Sequence, residues 1–320
     1  MKDNSNGHFP SSAELLPHVV RTQSGLALVH TSRVHGVWQR ILSTGGVWQS
    51  ATLLGPHRMD PPFAYHRAFC RVFDLVPNVQ RLLAIGGGGF AFPKYVAEKH
   101  PDVVTDVVEI DPAIIEAARR WFYLDEACEL QRRAGGQLNV ICADGRRILD
   151  NAAPSSYDAI VLDAFIRDAP VRTLATVEAF RAAHQALSPR GVLLANVVPD
   201  ENDPGNGFLR SVAAGLVATF VNVAITLVID HQNVGENYIV FASDTALDLP
   251  DAIPFDEDFL GDVLHDESLW TAAGDVAERR KMMQLSPNNA LRRQFVAGGQ
   301  SVLQMPPKGA LRRRRTARGV

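Results

Sequence analysis

Apolar residues form short, nearly continuous runs between residues 81 and 243, and segments with helical spacing separate most of them. Strands that are covered by helices on both faces give this pattern, because neither face of the sheet needs polar side chains. The pattern predicts five strand–helix units followed by two strands that form an antiparallel pair. The predicted strands are residues 82–85, 103–110, 138–142, 157–163, 191–198, 221–229 and 237–243. The expected fold class is α/β, with a doubly wound, seven-stranded sheet.

A different pattern precedes this domain. Three short runs rich in β-forming residues are separated by turn residues such as Thr44-Gly45-Gly46, and they predict a small antiparallel β module. The predicted organisation is a disordered lead-in at 1–17, the β module at 18–62, the doubly wound domain at 63–248, a peripheral helical segment at 249–297 and a basic disordered tail at 298–320.

The composition is that of an ordinary globular protein. Apolar residues make up 46% of the 320 positions and charged residues 21%, which allows a large core. The net charge of −3 gives no overall attraction to nucleic acid, so no nucleic-acid partner is expected. The basic run Arg312-Arg313-Arg314-Arg315 is a local exception, interpreted as a solvated tail or, alternatively, a partner-binding arm.

The cysteines and histidines indicate neither a disulfide framework nor a metal site. Cys70, Cys128 and Cys142 are odd in number and widely spaced, which favours a reducing, cytoplasmic setting. The ten histidines show no His-x-x-x-His spacing, so no metal is expected. No segment reaches the ~20 apolar residues of a membrane-spanning helix, and the start of the chain lacks the apolar core of a signal peptide.

Candidate chemistry begins where the first predicted strand meets four glycines, Gly86 to Gly89. Glycines at a strand–helix turn let a nucleotide-type ligand approach the backbone, and the following helix start offers free N–H groups. Glu109 closes the second predicted strand, where a carboxylate can accept hydrogen bonds from both ribose hydroxyls. The sequence therefore predicts a nucleoside site at this edge. A ligand-free turn and an exposed acid at a strand end are the plainer alternatives.

Two further acids follow the next predicted strands. Asp144 and Gly145 come just after strand three, where an aspartate can accept the amine of adenine, cap the next helix, or do both. NAD-binding folds do not usually use this position, which disfavours an NAD-dependent oxidoreductase. Asp163 lies at the C-terminal end of strand four, the edge at which doubly wound sheets bind ligands. It would face the reacting end of the ligand or, alternatively, serve as a structural cap.

These motifs together resemble the spermidine synthase family of aminopropyltransferases, within the Rossmann-like fold of S-adenosylmethionine-dependent methyltransferases. The resemblance implies that Asp163 takes a proton from the attacking amine, and that Tyr65, in Phe63-Ala64-Tyr65-His66, lines the amine pocket. It implies a homodimer built partly on the β module. It also implies contacts to the donor from Gln49, Gly86, Gly88, Glu109, Asp144 and Gly145.

Departures from the family pattern cluster around the acceptor and the transferred group. The family's glycine loop usually continues with an aspartate that binds the donor's terminal amine, and here that position is Gly89. Pro61 and Pro62 replace the two acids that typically precede the pocket tyrosine. The loop after Asp163 is two residues longer than in the family, and Asp168 is the candidate for the family's second acid. Nucleoside binding is therefore better supported than polyamine synthesis.

The expected function is transfer of an aminopropyl group from decarboxylated S-adenosylmethionine to a small-molecule amine. A methyltransferase that uses S-adenosylmethionine is the closest alternative, because it needs the same adenosine contacts and no residue that binds the amine of an aminopropyl group. A non-catalytic protein of the same fold is the third, and the altered loop after Asp163 favours it.

Overall fold

A seven-stranded sheet forms the centre of the computed structural model, which describes residues 9–164, 169–199, 203, 205–230 and 235–267. The strand order is β10-β11-β9-β8-β5-β6-β7, with β11 antiparallel to its neighbours and the other pairings parallel. The strands are β5 (Arg81–Ile85), β6 (Val104–Glu109), β7 (Gln137–Cys142), β8 (Tyr157–Leu162), β9 (Leu187–Val197), β10 (Asn222–Asp230) and β11 (Gly235–Ser243).

Helices cover both faces of this sheet. Alternate residues of β5 enter opposite clusters, Leu82 and Ala84 in one and Leu83 and Ile85 in the other, so the strand is apolar after its first residue. The predicted α/β fold class is thereby confirmed. The helices are α1 (Ala64–Phe69), α2 (Val72–Leu75), α3 (Ala91–Lys99), α4 (Pro112–Trp121), α5 (Leu124–Ala134), α6 (Gly145–Asp150), α7 (Val177–Ala186) and α8 (Gly207–Val217), with 3-10 turns at Gly55–His57, Ala169–Leu174 and Glu257–Phe259.

The N-terminal module is a separate four-stranded antiparallel sheet, in the order β1-β2-β3-β4. Its hairpin turn at Gly45 and Gly46 has φ angles of 57° and 84°, which glycine adopts at no steric cost. The first hairpin turn also contacts the main domain, since the N–H of Gln23 donates to the Asp111 carboxylate (2.6 Å). The strands are β1 (His18–Thr22), β2 (Gly25–Val34), β3 (Val37–Thr44) and β4 (Val47–Leu53).

Two details of the main domain differ from the sequence interpretation. Helix α5 was not predicted, because no glycine or proline separates it from α4; the break is made by Tyr123 in the left-handed region, at φ 62°. The described part of the expected helical segment is mostly irregular, and it pairs with the sheet through a bridge between Ile253 and Ile225. The segment contains Pro250 and Pro254, which disfavour a helix interior.

The domain boundaries remain predictions, because residues 1–8 and 268–320 lie outside the described residues. Among the helices that the structure describes, none is long and apolar enough to cross a membrane.

A fully buried lysine joins the glycine-loop helix to the β module. The Nζ of Lys94, on α3, donates to the Thr52 hydroxyl of β4 (2.6 Å) and lies 3.3 Å from the Arg58 carbonyl oxygen. Burial lowers the pKa of Lys94 to about 7; the negative charge of Glu126 opposes this shift and the positive charge of Arg58 adds to it. The buried amine therefore changes its charge near neutral pH.

Lys94 is expected to make stability depend on pH between 7 and 10. An unfolded lysine holds its proton up to about pH 10, whereas the folded pKa is about 7. The unfolded state then binds more protons, so the free energy of unfolding rises with pH in this window. Between pH 7 and pH 10, urea titrations should show that the free energy of unfolding of the wild type rises by roughly 4 kcal/mol more than that of Lys94→Met. Equal pH dependence of the two proteins would contradict this assignment.

Candidate active site

The four predicted site segments follow four neighbouring strands at one edge of the sheet. Because the strand order is β8-β5-β6-β7, their carboxyl ends bring these segments side by side. The order reverses between β5 and β8, which is where doubly wound sheets bind ligands. Along this edge lie, in order, Asp163, the Gly86 turn, Glu109 and Asp144.

The turn after β5 has no room for side chains at its start. Gly86 has a φ of 102°, and a Cβ there would lie 2.7 Å from the carbonyl oxygen of Asp163. At Gly87 a Cβ would lie 2.7 Å from the ring of Phe90. Phe90 is the N-cap residue of α3, and its backbone adopts the left-handed conformation, at φ 56°. The glycines therefore let the backbone of β5 pack against that of β8, and Asp163 is placed directly beside the turn.

The carboxylate of Glu109 is held by three backbone N–H groups. Gly87 and Gly88 both donate to its Oε2 (3.0 Å each), and Asp111 donates to its Oε1 (3.0 Å). A carboxylate can accept about four hydrogen bonds, so this anchoring is compatible with a bound hydroxyl. The acid at the end of β6 is thus fixed in orientation before any ligand binds.

Asp144 and Gly145 lie beside this acid, over the end of β5. The Asp144 carboxylate caps α6, accepting the Arg146 N–H (2.8 Å). The Ala143 N–H donates to the carbonyl oxygen of Glu109 (3.1 Å), and a Cβ on Gly145 would lie 2.2 Å from Cγ2 of Ile85. The structure therefore shows the capping role for Asp144, and its adenine role remains a prediction.

Asp163 is oriented by two side chains. The Asn196 amide donates to its Oδ1 (2.9 Å), and Nε2 of His66 lies 3.4 Å from its Oδ2. Asn237 in turn donates to the Asn196 side-chain oxygen (2.8 Å), which extends the polar network to β11. The carboxylate is 17% exposed. It is therefore partly buried and aligned, as a proton-accepting group requires.

Tyr65 and its aromatic neighbours form the wall above Asp163. The Tyr65 ring lies against His66, with centroids 4.0 Å apart and the two planes tilted by 37°, and it also contacts Phe63 and Phe69. Burial raises the pKa of Tyr65 well above its usual value, and the negative charges of Asp163 and Asp230 raise it further. The structure therefore brings Tyr65 and Asp163 together, as predicted. Asp168 lies outside the described residues.

Strand β4 approaches the glycine turn from the module. The pairing of β3 with β4 shifts at Gln49, which is the extra residue of a bulge, and bulges commonly re-aim side chains near binding sites. The next residue, Ser50, packs on the turn: a Cβ at Gly89 would lie 2.5 Å from its hydroxyl and 3.0 Å from Phe122. An aspartate at Gly89 would therefore require movement of these neighbours.

Sequence reasoning missed the polar partners of Asp163. Asn196 interrupts the apolar run of β9 that begins at Val192, and Asn237 directly precedes the apolar run of β11 that begins at Tyr238; these positions were the available signal. The motif around Tyr65 gives His66 no role of its own. Among the described residues, no cluster of histidine, cysteine, aspartate or glutamate could hold a metal ion.

Comparison with known proteins matches these residues to a known domain. Residues 63–199 match the spermine/spermidine synthase domain. A polyamine aminopropyltransferase of Vibrio vulnificus is 35% identical over 120 residues, which are 38% of this chain and 38% of that protein. One of Chromobacterium violaceum is 33% identical over 140 residues, 43% of this chain and 51% of that protein. The chain thus spans about half or less of the length of these curated relatives.

The fold comparison extends further along the chain. A probable spermidine synthase from Corynebacterium glutamicum superimposes with a TM-score of 0.59 at 22% identity, covering 91% of this chain and 99% of that one. At this identity the likeness establishes the shared fold. The matched domain contains the glycine turn, Glu109, Asp144, Gly145 and Asp163, so residues 63–199 of the chain are a spermine/spermidine synthase domain.

Proposed function

We propose that the protein transfers an aminopropyl group from decarboxylated S-adenosylmethionine to an amine. The observation that carries this proposal is the position of Asp163, which lies against the glycine turn on one side and near Tyr65 and His66 on the other. A nucleoside at the turn and an amine beneath the tyrosine would therefore meet at one carboxylate. The named aminopropyltransferase relatives support the same reaction.

The donor half of the edge fits an adenine–ribose compound. The turn at Gly86 and Gly87 lies directly beside Asp163, and the anchored carboxylate of Glu109 suits a ribose hydroxyl. Asp144, which caps α6, and Gly145 would contact the adenine. Gln49 would contact the tail from the bulge of β4.

The acceptor half fits the chemistry of the transfer. The amine nitrogen attacks the carbon bonded to the sulfonium, a C–N bond forms, and the C–S bond breaks with its electron pair passing to sulfur. The leaving group is a neutral thioether and needs no acid, so the residues must align the amine and remove its proton. Asp163 would accept that proton. Its carboxylate is held in place by the hydrogen bond from Asn196 and by the neighbouring His66 ring.

Methyl transfer from ordinary S-adenosylmethionine is the second candidate, and Gly89 favours it. The position that usually carries an amine-binding aspartate is filled by the Ser50 hydroxyl and Phe122. A donor whose tail keeps its carboxylate would therefore meet no negative charge at this position.

Mass spectrometry of the products, with each donor and a panel of amines, separates the two reactions. Aminopropyl transfer predicts amine-dependent formation of methylthioadenosine from the decarboxylated donor only. Methylated amine and S-adenosylhomocysteine would instead support methyl transfer. Calorimetry that detects binding of neither nucleoside product would favour a non-catalytic protein.

We further propose a homodimer that uses the outer face of β1 and β2. Val19 and Leu28 lie directly opposite each other on this face and are 68% and 38% exposed, and Leu26 beside them is 61% exposed. Apolar groups on one face of a sheet are typical of an interface between subunits. A cytoplasmic location is proposed as well, since all three cysteines are free thiols.

Replacing both Val19 and Leu28 with lysine is expected to produce a monomer. The two added positive charges would have to be buried in the proposed interface, whereas both side chains are solvated in the monomer. Light scattering coupled to size exclusion measures the mass. Val221→Lys, at a 45% exposed position on another part of the surface, is the matched control. A double variant that keeps the wild-type mass would exclude this face.

A further inference from the structure

The first turn of α3 carries backbone N–H groups that no described residue accepts. Phe90, the N-cap residue of this helix, offers no side-chain acceptor. The two preceding N–H groups of the glycine turn donate to Glu109. Among the described hydrogen bonds, none has the N–H of Gly89, Ala91 or Phe92 as its donor. The helix therefore presents three donors and the positive end of its dipole at the carboxyl edge of the sheet.

A buried serine hydroxyl of the β module faces these N–H groups. Ser50 is 2% exposed, and a Cβ on Gly89 would lie 2.5 Å from its Oγ. A Cβ on Gly88 would lie 3.8 Å from the same oxygen. None of the described hydrogen bonds involves this hydroxyl, although buried polar groups normally have a partner. An O–H donor is therefore directed at the start of α3 with no acceptor among the described residues.

A positive charge lies next to this serine, at the same contact between β4 and α3. Ser50 and Thr52 are alternate buried residues of β4, about 7 Å apart, so both hydroxyls face α3. The Thr52 hydroxyl accepts a hydrogen bond from the buried Nζ of Lys94 (2.6 Å). Solvent screens a buried charge little, so protonated Lys94 attracts an anion at the start of its own helix. Backbone N–H groups, a hydroxyl donor and a cation together suit a carboxylate.

We propose that Ser50 and the start of α3 bind the carboxylate of an adenosyl ligand that keeps its whole methionine-derived tail. This inference rests on the nucleoside half of the proposed function, and it is independent of which group is transferred. Gln49, the residue proposed to contact the tail, directly precedes Ser50, and Gly89 adds no negative charge that would repel a carboxylate. Ordinary S-adenosylmethionine and S-adenosylhomocysteine therefore compete with the decarboxylated donor and inhibit aminopropyl transfer.

The test compares S-adenosylhomocysteine with its decarboxylated counterpart, two thioethers that differ only in the tail carboxylate. Calorimetry below pH 7, the approximate pKa of Lys94, keeps the buried amine protonated. S-adenosylhomocysteine should bind the wild type about 10- to 100-fold more tightly, the contribution of a charged hydrogen bond. Ser50→Ala should reduce this ratio of affinities by about tenfold. Ser43→Ala, which removes a buried hydroxyl of the neighbouring strand β3, is the matched control and should leave the ratio unchanged.

Other outcomes overturn the inference. Equal affinities of the wild type for the two thioethers would exclude a carboxylate site at α3, and a ratio that Ser50→Ala retains in full would exclude Ser50 from it. In turnover assays, S-adenosylhomocysteine should raise the KM for the decarboxylated donor and leave kcat unchanged; an unchanged KM would contradict the competition. If the wild type does not turn over the decarboxylated donor, aminopropyl transfer fails, and the two thioethers still test the carboxylate site. If neither thioether nor methylthioadenosine binds, both proposals fail.

Discussion

Asp163→Asn is expected to reduce amine-dependent turnover by a factor of about 10² to 10⁴, the usual contribution of a positioned proton acceptor. Asparagine has the same shape and can still accept the Asn196 amide hydrogen, so the network next to β9 is retained. What it loses is the ability to take a proton from the attacking nitrogen. The measurement is kcat/KM with the decarboxylated donor and a diamine.

Binding of methylthioadenosine separates this effect from misfolding. The donor half contains Glu109 and the Gly87 N–H, and the Asp163→Asn side chain touches neither in the described contacts. Affinity for the nucleoside should therefore stay near that of the wild type. Asp251→Asn, at an exposed acid paired with Arg71, is the control for a simple change of charge. Full turnover in the Asp163 variant would assign proton acceptance to another group.

Glu109→Ala is expected to weaken binding of methylthioadenosine by about 10- to 100-fold. A charged hydrogen bond contributes about 1.5–3 kcal/mol, and the turn leaves the carboxylate about one acceptor position for a ribose hydroxyl. The substitution also leaves the N–H groups of Gly87, Gly88 and Asp111 without their acceptor, which loosens the turn. Isothermal calorimetry measures the affinity directly.

Two companion variants make this result interpretable. Glu109→Gln keeps an acceptor oxygen for the turn while removing the charge. Its affinity for methylthioadenosine should therefore lie between those of the wild type and Glu109→Ala. Glu129→Ala removes an exposed acid of α5 that pairs only with nearby arginines in the described contacts. Affinity within about threefold of the wild type in Glu109→Ala would place the ribose elsewhere.

Most of the donor half could be predicted from the sequence because its residues follow strands directly. Gly86, Glu109 and Asp144 each come at or just after the end of an apolar run, and parallel strands bring such ends to one edge. Local pattern and topology were sufficient there, since no side chain had to be placed by packing.

The rest depends on contacts between distant segments. Asp230 reaches Ala64 across 166 positions, and Asn237 reaches Asn196 across 41. The Ser50 hydroxyl fills the space beside Gly89 only because β4 packs on the glycine turn. Hydrophobic periodicity reports which face of an element is buried, and it carries no information on which polar side chains from different elements will meet.

The bond from Gln23 to Asp111 has a consequence for how the protein responds to its ligand. Asp111 also donates its N–H to Glu109 and caps α4, so one residue connects Glu109 with the first hairpin of the module. We expect a nucleoside that binds Glu109 to suppress local opening of that hairpin as well, because Asp111 contacts both. Slower hydrogen exchange at the Gln23 amide would then report nucleoside binding at a residue that lies outside the binding site.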